Sequence, residues 1–488
     1  MKMKKLTNRI TAFGEKEELN MTEDEKNQLI DNFEIRFEET GDPFVDAGGM
    51  ALKYISEQFP NKSIMELVEW AAKVYVEKWN AKLNAIFLNA PITQTSKRGN
   101  QKVISTVALF EDAITSEKHH GFCRYCGNES HLTKAGRDLS CLVGSGAFVN
   151  FHHSHDEGLM ICPQCAIKYF FLPFGLLSMG NLTVLQTTTS YGLEFWKSKT
   201  VKENLSKISR GTSEGILKSE FNNPKNAIFH LATELINEFK NDEISENLTL
   251  YHFTNFAASV ECNIYTVPNP IFLFLSKVIK NIAKQWFDFT IRYYHISKTS
   301  WNDETNQWDY KGRVATEDDY RNCQNDIFNK LLEGKSILSN ITSFYKKQIK
   351  KENKLDSRLA IYYAKEVIKM TTEQINLIKS IGTKIFELMK EENDFKKYLI
   401  KIEGSTKAYQ LRSALINIIK KNYNSGNNDT IVTLDEWVTY LFPDGQYWGE
   451  IRDLLLIFLY EKMHEKNMKI EIDEHDKVEE TEEENTEI

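Results

Sequence analysis

Two Cys-x-x-Cys pairs constrain this chain more than any other feature of its sequence. They read CRYC at 123–126 and CPQC at 162–165, and they hold four of the seven cysteines in 488 residues. The basic N-terminal stretch lacks the apolar run of a secretory signal, and no apolar run approaches the ~20 residues of a membrane-spanning helix. We therefore expect a cytoplasmic protein without membrane association, whose thiols stay reduced rather than forming a disulfide.

The four cysteines of these pairs suit a single metal ion. Both sulfurs of a Cys-x-x-Cys turn can reach the same ion, and two turns complete a tetrahedral shell with Zn–S distances of about 2.3 Å. A redox role needs instead one pair that opens a helix in a thioredoxin-like unit. The sequence thus predicts a structural zinc, since four protein ligands leave no open position: Cys123, Cys126, Cys162 and Cys165. An iron–sulfur centre and buried, metal-free cysteines are the alternatives.

The spacer between the pairs is longer than the usual 15–20 residues of a two-knuckle zinc site. This length predicts a subdomain inserted between the two knuckles. We expect Cys141, inside the insert, to be a buried thiol, with replacement of one of the four ligands as the alternative. We expect Cys262 and Cys323 to be core cysteines. Gly127 and Pro163 favour tight turns at the two pairs.

Hydrophobic periodicity predicts an α+β fold, with a mixed N-terminal body that contains the zinc subdomain, followed by an all-α bundle. Alternating patterns predict strands at 181–188 and 250–267, and a helical pattern covers 63–88. From about residue 336 apolar residues recur at helical spacing, with Gly and Pro at the joints, which predicts five to seven helices. The sequence therefore predicts three parts: a body at 1–335 with its zinc-binding region at 121–170, a helical bundle at 336–470, and a disordered acidic tail at 471–488.

Local signals predict where some helices begin. Asp46 is the expected cap of a helix that starts in TGDPFVDAGG, Ser63 caps the next helix, and Thr371 or Thr372 caps one in the bundle. The segment 20–38 reads as an acidic amphipathic helix, because Leu29, Ile30, Phe33 and Phe37 recur at helical spacing.

The charge distribution is compatible with nucleic-acid binding without requiring it. The whole chain carries −8, yet both ends are strongly acidic, so the middle is mildly basic. Arginine and lysine suit phosphates or guanine edges, and asparagine and glutamine suit adenine. Two candidate groups follow, a loop around Gly99 and a basic helix face: Lys97, Arg98, Asn100, Gln101 and Lys102 in the loop, and Lys346, Lys347 and Lys350 on the face. Ordinary solvated surface is the alternative for both.

A catalytic site is the weaker interpretation of the sequence. Residues 150–158 collect His152, His155 and Asp156, which could hold a metal and activate water in a metal-dependent nuclease. Adjacent histidines on an extended segment point to opposite faces, however, which favours an exposed turn. The glycine-rich CLVGSGAF at 141–148 lacks the Lys-Ser/Thr ending of a phosphate-binding loop. We therefore expect a binding protein rather than an enzyme.

Five motifs together resemble the CRISPR-associated CXXC–CXXC family, the large subunit of the type I-B Cascade surveillance complex. They are TGDPFVDAGG, CRYCG with ICPQC, FLPFG, YHFTNF and IYTVPNPIFLFL, and they span roughly residues 40–290. The order of these motifs makes the resemblance more specific than the cysteine pairs alone. The acidic N-terminal segment and the acidic tail depart from the family pattern.

The resemblance implies a non-catalytic subunit of an RNA-guided antiviral complex. Such a subunit binds near the guide RNA 5′ end beside other Cascade subunits, reads a short motif next to target double-stranded DNA, and recruits the helicase–nuclease, while base pairing supplies sequence specificity. It also implies that the C-terminal helices resemble the small subunit. We hypothesise that residues 370–488 are also made as a free small subunit starting at Met370, and the alternative is that they form only a tethered bundle. A zinc-containing scaffold of another nucleoprotein complex is the remaining alternative.

Overall fold

The structure is a computed structural model that is rich in helices and contains a few small sheets. It describes residues 21–116, 119–143, 158–256, 259–296, 299–302, 304–305, 307–310, 313–314, 316–348, 356–424, 426, 430–442 and 447–466. None of the helices described there combines the length and apolar composition of a membrane-spanning segment. The mixed helix and sheet content agrees with the predicted fold class.

The described chain divides into two compact units. The first is Met1–Leu231 with Glu246–Thr266, and the second is Ala232–Ser245 with Val267–Ile488. The sequence analysis predicted a domain boundary between residues 335 and 336. That the chain folds as independent domains on either side of this boundary stays a prediction.

The helices of the first unit alternate with short strands. Its helices are α1 (Glu23–Asp31), α2 (Pro43–Gln58), α3 (Ile64–Lys73), α4 (Asn100–Thr115), α5 (Pro163–Phe170), α6 (Ser190–Lys197) and α7 (Glu203–Ser209). Its strands are β1 (His120–Phe122), β2 (Glu129–His131), β3 (Thr133–Ala135), β4 (Leu159–Ile161), β5 (Leu177–Met179), β6 (Asn181–Gln186), β7 (Leu217–Lys218), β8 (Leu248–Phe256) and β9 (Ser259–Val267). Helix α8 (Pro224–Glu238) follows β7.

A five-stranded sheet in the order β7-β5-β6-β8-β9 supports the core of the first unit. Strand β6 pairs antiparallel with β5 and with β8, whereas β7 adds to β5 in parallel. Two antiparallel two-stranded ribbons, β1-β2 and β3-β4, carry the cysteine region. The strands predicted at 181–188 and 250–267 correspond to β6 and to the β8–β9 pair.

Helices α2 and α5 pack closely, and this contact fixes the cysteine region to the core. A Cβ added to Gly48 would lie 2.0 Å from the carbonyl oxygen of Lys168, so only glycine permits this approach. The ring of Phe44, also on α2, packs edge-on against Tyr251 and Phe253 of β8 at 5.8 and 5.0 Å. Helix α2 therefore links the sheet to the helix that begins at the second cysteine pair.

The second unit is dominated by helices. They are α9 (Asn269–Thr290), α10 (Glu317–Asn322), α11 (Asp326–Leu332), α12 (Leu338–Gln348), α13 (Arg358–Glu366), α14 (Thr372–Glu392), α15 (Phe395–Glu403), α16 (Ala408–Asn424), α17 (Leu434–Glu436) and α18 (Trp448–Glu465). A small sheet is formed by β10 (Thr299–Asn302), β11 (Gln307–Tyr310) and β12 (Arg313–Val314). Helix α18 packs against α12, α14, α15 and α16, and it buries every residue from Asp453 to Tyr460.

Several boundaries differ from the sequence predictions for local reasons. Asp42, not Asp46, caps α2, since its side chain accepts hydrogen bonds from the amides of Phe44 and Val45. The predicted helix at 63–88 starts after Ser63 as expected, but helical structure ends at Lys78, because Asn80 and Ala81 adopt left-handed backbone angles. Helix α1 ends at Asp31, so Phe37 lies outside it.

One predicted helix start in the second unit is confirmed. Thr371 caps α14 through a capping box with Gln374, as one of the two predicted caps. Helix α15, which the periodicity did not single out, begins after its cap Asp394. The polar segment 301–320 contains β11, β12 and the start of α10 in its described part.

Candidate metal centre and nucleic-acid interface

The structure brings the four cysteines of the two pairs together. Their sulfur atoms all lie within 4.8 Å of one another, and the Sγ atoms of Cys126 and Cys162 are 3.8 Å apart. Four sulfurs placed tetrahedrally at about 2.3 Å from one zinc ion are about 3.8 Å from each other. The separation thus fits one tetrahedral ion, and it is too short for a cluster of several irons to lie between the sulfurs.

The first knuckle is a tight turn between β1 and β2. The amide of Gly127 donates to the carbonyl of Cys123 at 2.9 Å, and the amide of Cys123 donates to the carbonyl of Asn128 at 2.9 Å. Gly127 has a φ of +71°, which most side chains disfavour, so the glycine suits this turn as predicted. The amide of Arg124 donates to the carbonyl of Met160, which ties the turn to β4 just before the second pair.

The second knuckle is the beginning of α5. Cys162 caps this helix, and its sulfur accepts from the amide of Cys165 at 3.5 Å. Pro163 occupies the first helical turn, where its fixed φ favours a helix start rather than the expected tight turn. The amide of Cys162 also donates to the Cys123 sulfur at 3.3 Å, and the positive end of the helix dipole favours thiolate at this position.

Crowding of the thiols shifts their pKa values in opposite directions. The pKa of Cys123 lies well below its ordinary value, because Cys162 and Cys165 donate hydrogen bonds to its sulfur. The pKa of Cys162 is raised to about 12, because its proton is held by Cys123, and the pKa of Cys165 is raised for the same reason. A divalent ion bound here would allow all four thiols to ionise.

The segment 34–46 wraps around the second knuckle. The amide nitrogen of the Gln164 side chain donates to the carbonyl of Glu34 at 2.6 Å, and Lys168 donates to the carbonyl of Glu38 at 3.0 Å. Asp46 then accepts from the amides of Thr40 and Gly41 at 2.7 and 2.9 Å, which closes the loop that leads into α2. The chain that leads into the TGDPFVDAGG motif is thus held against the helix of the second cysteine pair.

The other cysteines do not join this cluster. Cys141 is buried as predicted, and its amide donates to the hydroxyl of Tyr169 at 2.8 Å. Burial raises the pKa of its thiol to about 12. Cys262 is exposed and Cys323 is half-buried, so the prediction that both are core cysteines is wrong. Cys262 lies on β9, at the edge of the five-stranded sheet.

The predicted basic loop leads into the first turn of α4. Lys97 and Arg98 precede Gly99, which caps the helix without a side-chain hydrogen bond, and Asn100 to Lys102 form the first turn. Arg98, Asn100 and Gln101 are exposed. The first turn contains no acidic residue, so the positive end of the helix dipole adds to the charge of the loop. The arrangement could accept a phosphate, and the nucleic-acid role of these residues stays a prediction.

The second basic group is placed differently. Lys346 forms an ion pair with Glu403 at 2.8 Å inside the second unit. Lys347 lies on the same helix and also has an interaction partner. Lys350 lies outside the described residues, as do His152, His155 and Asp156 of the nuclease alternative and the acidic tail at 471–488. Within the described residues the four cysteines are the one group of three or more Cys, His, Asp or Glu side chains close enough to share an ion.

The sequence interpretation missed one exposed surface of the first knuckle. Phe122 immediately precedes Cys123 on β1, and 63% of its surface is exposed. His120 on the same strand lies directly opposite His131 on β2. In the sequence, the signal for this surface was the phenylalanine and the histidines that flank the first cysteine pair, in HHGFC and ESH.

Comparison with known proteins gives no relative from which a role could be transferred. No protein-family model matches this chain, and no curated protein matches it.

Proposed function

We propose that this chain is the non-catalytic large subunit of an RNA-guided type I surveillance complex. The observation that carries the proposal is the convergence of the resembling motifs on one core. Phe44 of TGDPFVDAGG contacts Phe253 of YHFTNF, and Phe174 of FLPFG lies in the same core as the knuckle residue Cys162. Segments far apart in sequence thus form one packed structure around the four cysteines, as expected if the motifs belong to one structural module.

In this proposal the ion is zinc and its role is structural. Four cysteine ligands, their tetrahedral spacing and the closed coordination shell favour zinc over metals that require an open position. The ion would join the β1-β2 ribbon to the start of α5. Its chemistry would therefore supply folding free energy to the first unit rather than catalysis.

The loop at 97–102 is the proposed contact to DNA. Lys97 and Arg98 stand at the positive end of α4, and no ion pair engages either of them among the described residues. Lys346 is a weaker candidate, because Glu403 already neutralises its charge. The expected partners are a guide RNA, target double-stranded DNA, the other Cascade subunits, and a helicase–nuclease recruited after target binding.

Purification of the tagged full-length chain from its native cell tests the assignment. We expect a short RNA of uniform length and several other subunits to co-purify. Co-purification of proteins without RNA would favour the scaffold alternative and overturn the proposal.

A second experiment in the assembled complex tests the loop. Because each lost phosphate contact removes counterion release, Lys97→Ala with Arg98→Ala should weaken duplex binding and reduce the salt slope by about one unit per contact. Lys82→Ala, an exposed lysine of the same unit, is the matched control and should leave both quantities unchanged. Equal affinity of the double variant and the control would show that the loop is ordinary surface.

A further inference from the structure

The β1-β2 ribbon presents four side chains on one face. His120 lies opposite His131, and Phe122 lies opposite Glu129. Residues directly opposite each other in an antiparallel pair share a face, and alternate residues return to that face. We call these four residues the ribbon face. Gly121 and Ser130 point to the other side, where Leu132 packs and is buried.

The ribbon face combines π surfaces with a hydrogen-bonding rim. The imidazole rings of His120 and His131 meet edge-on with centroids 5.1 Å apart. His120 Nδ1 is 3.6 Å from a carboxylate oxygen of Glu129. The phenyl ring of Phe122 stands beside them, with most of its surface exposed in the described structure. One aromatic ring is thus free to stack, and two imidazoles are placed to donate hydrogen bonds next to it.

The knuckle holds Phe122 in a fixed position. Its neighbour Cys123 is bound to the turn by two backbone hydrogen bonds and belongs to the metal centre. Side chains mounted on such a rigid support lose less conformational freedom on binding, so more of the contact energy is realised as affinity. The exposed phenyl ring loses its contact with water only when a partner covers it, so its burial would contribute to binding.

A basic side chain also lies at the first knuckle. The Arg124 side chain is exposed immediately after the first knuckle cysteine. An exposed aromatic ring next to cationic and imidazole groups is suited to an unpaired base and its phosphate. Bases inside a duplex are already stacked and do not offer a face.

We propose that the ribbon face binds an unpaired nucleobase of a single strand, with Phe122 stacking on the base and His120 and His131 contacting its sugar or phosphate. The inference rests on the proposed function, because it assumes a nucleic-acid partner. It assigns a contact that the sequence motifs did not indicate and that is separate from the loop at 97–102.

The test uses the zinc-loaded full-length chain and fluorescent 12-mers of RNA and of DNA that contain 2-aminopurine, whose fluorescence decreases on stacking. Stacking contributes about 1–3 kcal/mol per base, so Phe122→Ala should weaken single-strand binding by about 5- to 150-fold and remove the fluorescence decrease. Phe122→Tyr keeps an aromatic face and should retain both. Phe287→Ala, at a phenylalanine of the second unit that is 57% exposed, is the control and should behave like the wild type. Comparison of the two 12-mers shows whether the strand is RNA or DNA.

The outcomes separate this inference from the proposed function. Equal single-strand affinity for the wild type and Phe122→Ala would overturn the stacking inference and leave the proposed function standing. The stacking inference would also be overturned if Phe122→Ala weakened duplex binding as much as single-strand binding. The same holds if this variant impaired assembly with other subunits and left strand binding unchanged. The stacking inference would be overturned too if the wild-type chain bound no single strand. In that case the RNA co-purification decides the proposed function separately, and its failure would overturn that function as well. An unchanged zinc content in Phe122→Ala excludes loss of the knuckle as the cause.

Discussion

The substitution Gly48→Ala tests directly how the metal centre is held to the core. An added Cβ would lie 2.0 Å from the carbonyl oxygen of Lys168 and 3.1 Å from the amide nitrogen of Leu172. Both atoms belong to the main chain of α5 and its C-terminal end, so they cannot rotate away as a side chain can. Real Cβ atoms essentially never come within 3.0 Å of such atoms, so α5 must move by about 1 Å or more.

The expected loss is about 2 kcal/mol. Overpacking a dense core costs about 1–3 kcal/mol, and a clash with main chain belongs at the upper end. Alanine returns about 1 kcal/mol of helix propensity relative to glycine. The neighbouring Gly49→Ala is the matched control, because its Cβ would meet only the flexible Lys168 side chain, at 3.2 Å. The free energy of unfolding of this control should change by less than about 1 kcal/mol, since the two effects nearly cancel.

Urea titration with a coloured zinc chelator reports the unfolding of the first unit specifically, because the four cysteines lie there. With a urea dependence of about 1–3 kcal/mol per molar, Gly48→Ala should lower the midpoint of zinc release by about 1 M. Amide exchange of α5, followed by mass spectrometry, gives a second readout that does not depend on the ion. Equal midpoints for the two alanine variants would refute the packing argument.

Two further predictions concern the metal ligands and a buried carboxylate. Cys162→Ser should abolish metal binding and give insoluble or locally unfolded protein, whereas the wild type should contain about one zinc per chain by elemental analysis; a wild type without metal would refute the assignment. Burial raises the pKa of Asp453, even though the Arg452 side chain donates a hydrogen bond to its carboxylate at 2.9 Å. The stability that this carboxyl group contributes is therefore complete below its unfolded pKa of about 3.9, and it decreases as the pH rises through the folded pKa. The free energy of unfolding of Asp453→Asn, relative to the wild type, should therefore increase between pH 4 and pH 7, and a difference that is independent of pH would contradict this.

Local spacing explains the part of the site that the sequence could predict. A Cys-x-x-Cys turn fixes two sulfurs through four residues, so the assembly of Cys123, Cys126, Cys162 and Cys165 required only that the two turns meet. Caps such as Ser63 and Thr371 depend on the next three residues and were predicted for the same reason. These features are properties of short segments.

Long-range packing explains what the sequence could not give. The need for glycine at position 48 arises from Lys168, 120 residues later, and no local pattern encodes that distance. Asp46 and Asp42 are both suitable caps, and the choice follows from the hydrogen bonds of Asp46 to Thr40 and Gly41. The parallel addition of β7 to β5 also depends on how the intervening helices pack.

The predicted bundle begins near residue 336, but helices on the two sides of this residue pack against each other. This packing leads to a prediction about fragments. Helix α9, which precedes that point, packs against α13, and the Phe274 ring lies 5.4 Å from Tyr363. Phe289 of α9 likewise lies 5.5 Å from Phe344 of α12. A chain that begins at residue 336 therefore exposes the buried rings of Phe344 and Tyr363, each of which contributes about 1.5–3 kcal/mol through burial.

A chain that begins at Met370 loses α12 and α13 as well, which uncovers one side of α18. Every residue of α18 from Asp453 to Tyr460 is buried, and all of them except Asp453 and Tyr460 are apolar, so the uncovered side offers little polar surface to replace the lost contact. We expect fragment 267–488 to be monomeric with a cooperative thermal transition, fragment 336–488 to melt at a lower temperature, and fragment 370–488 to be soluble only when a partner covers α18. Circular dichroism melts and sedimentation of the three fragments measure this order. A monomeric 370–488 that melts at the same temperature as 267–488 would contradict the packing argument, and it would favour a free small subunit that starts at Met370 and is stable without a partner.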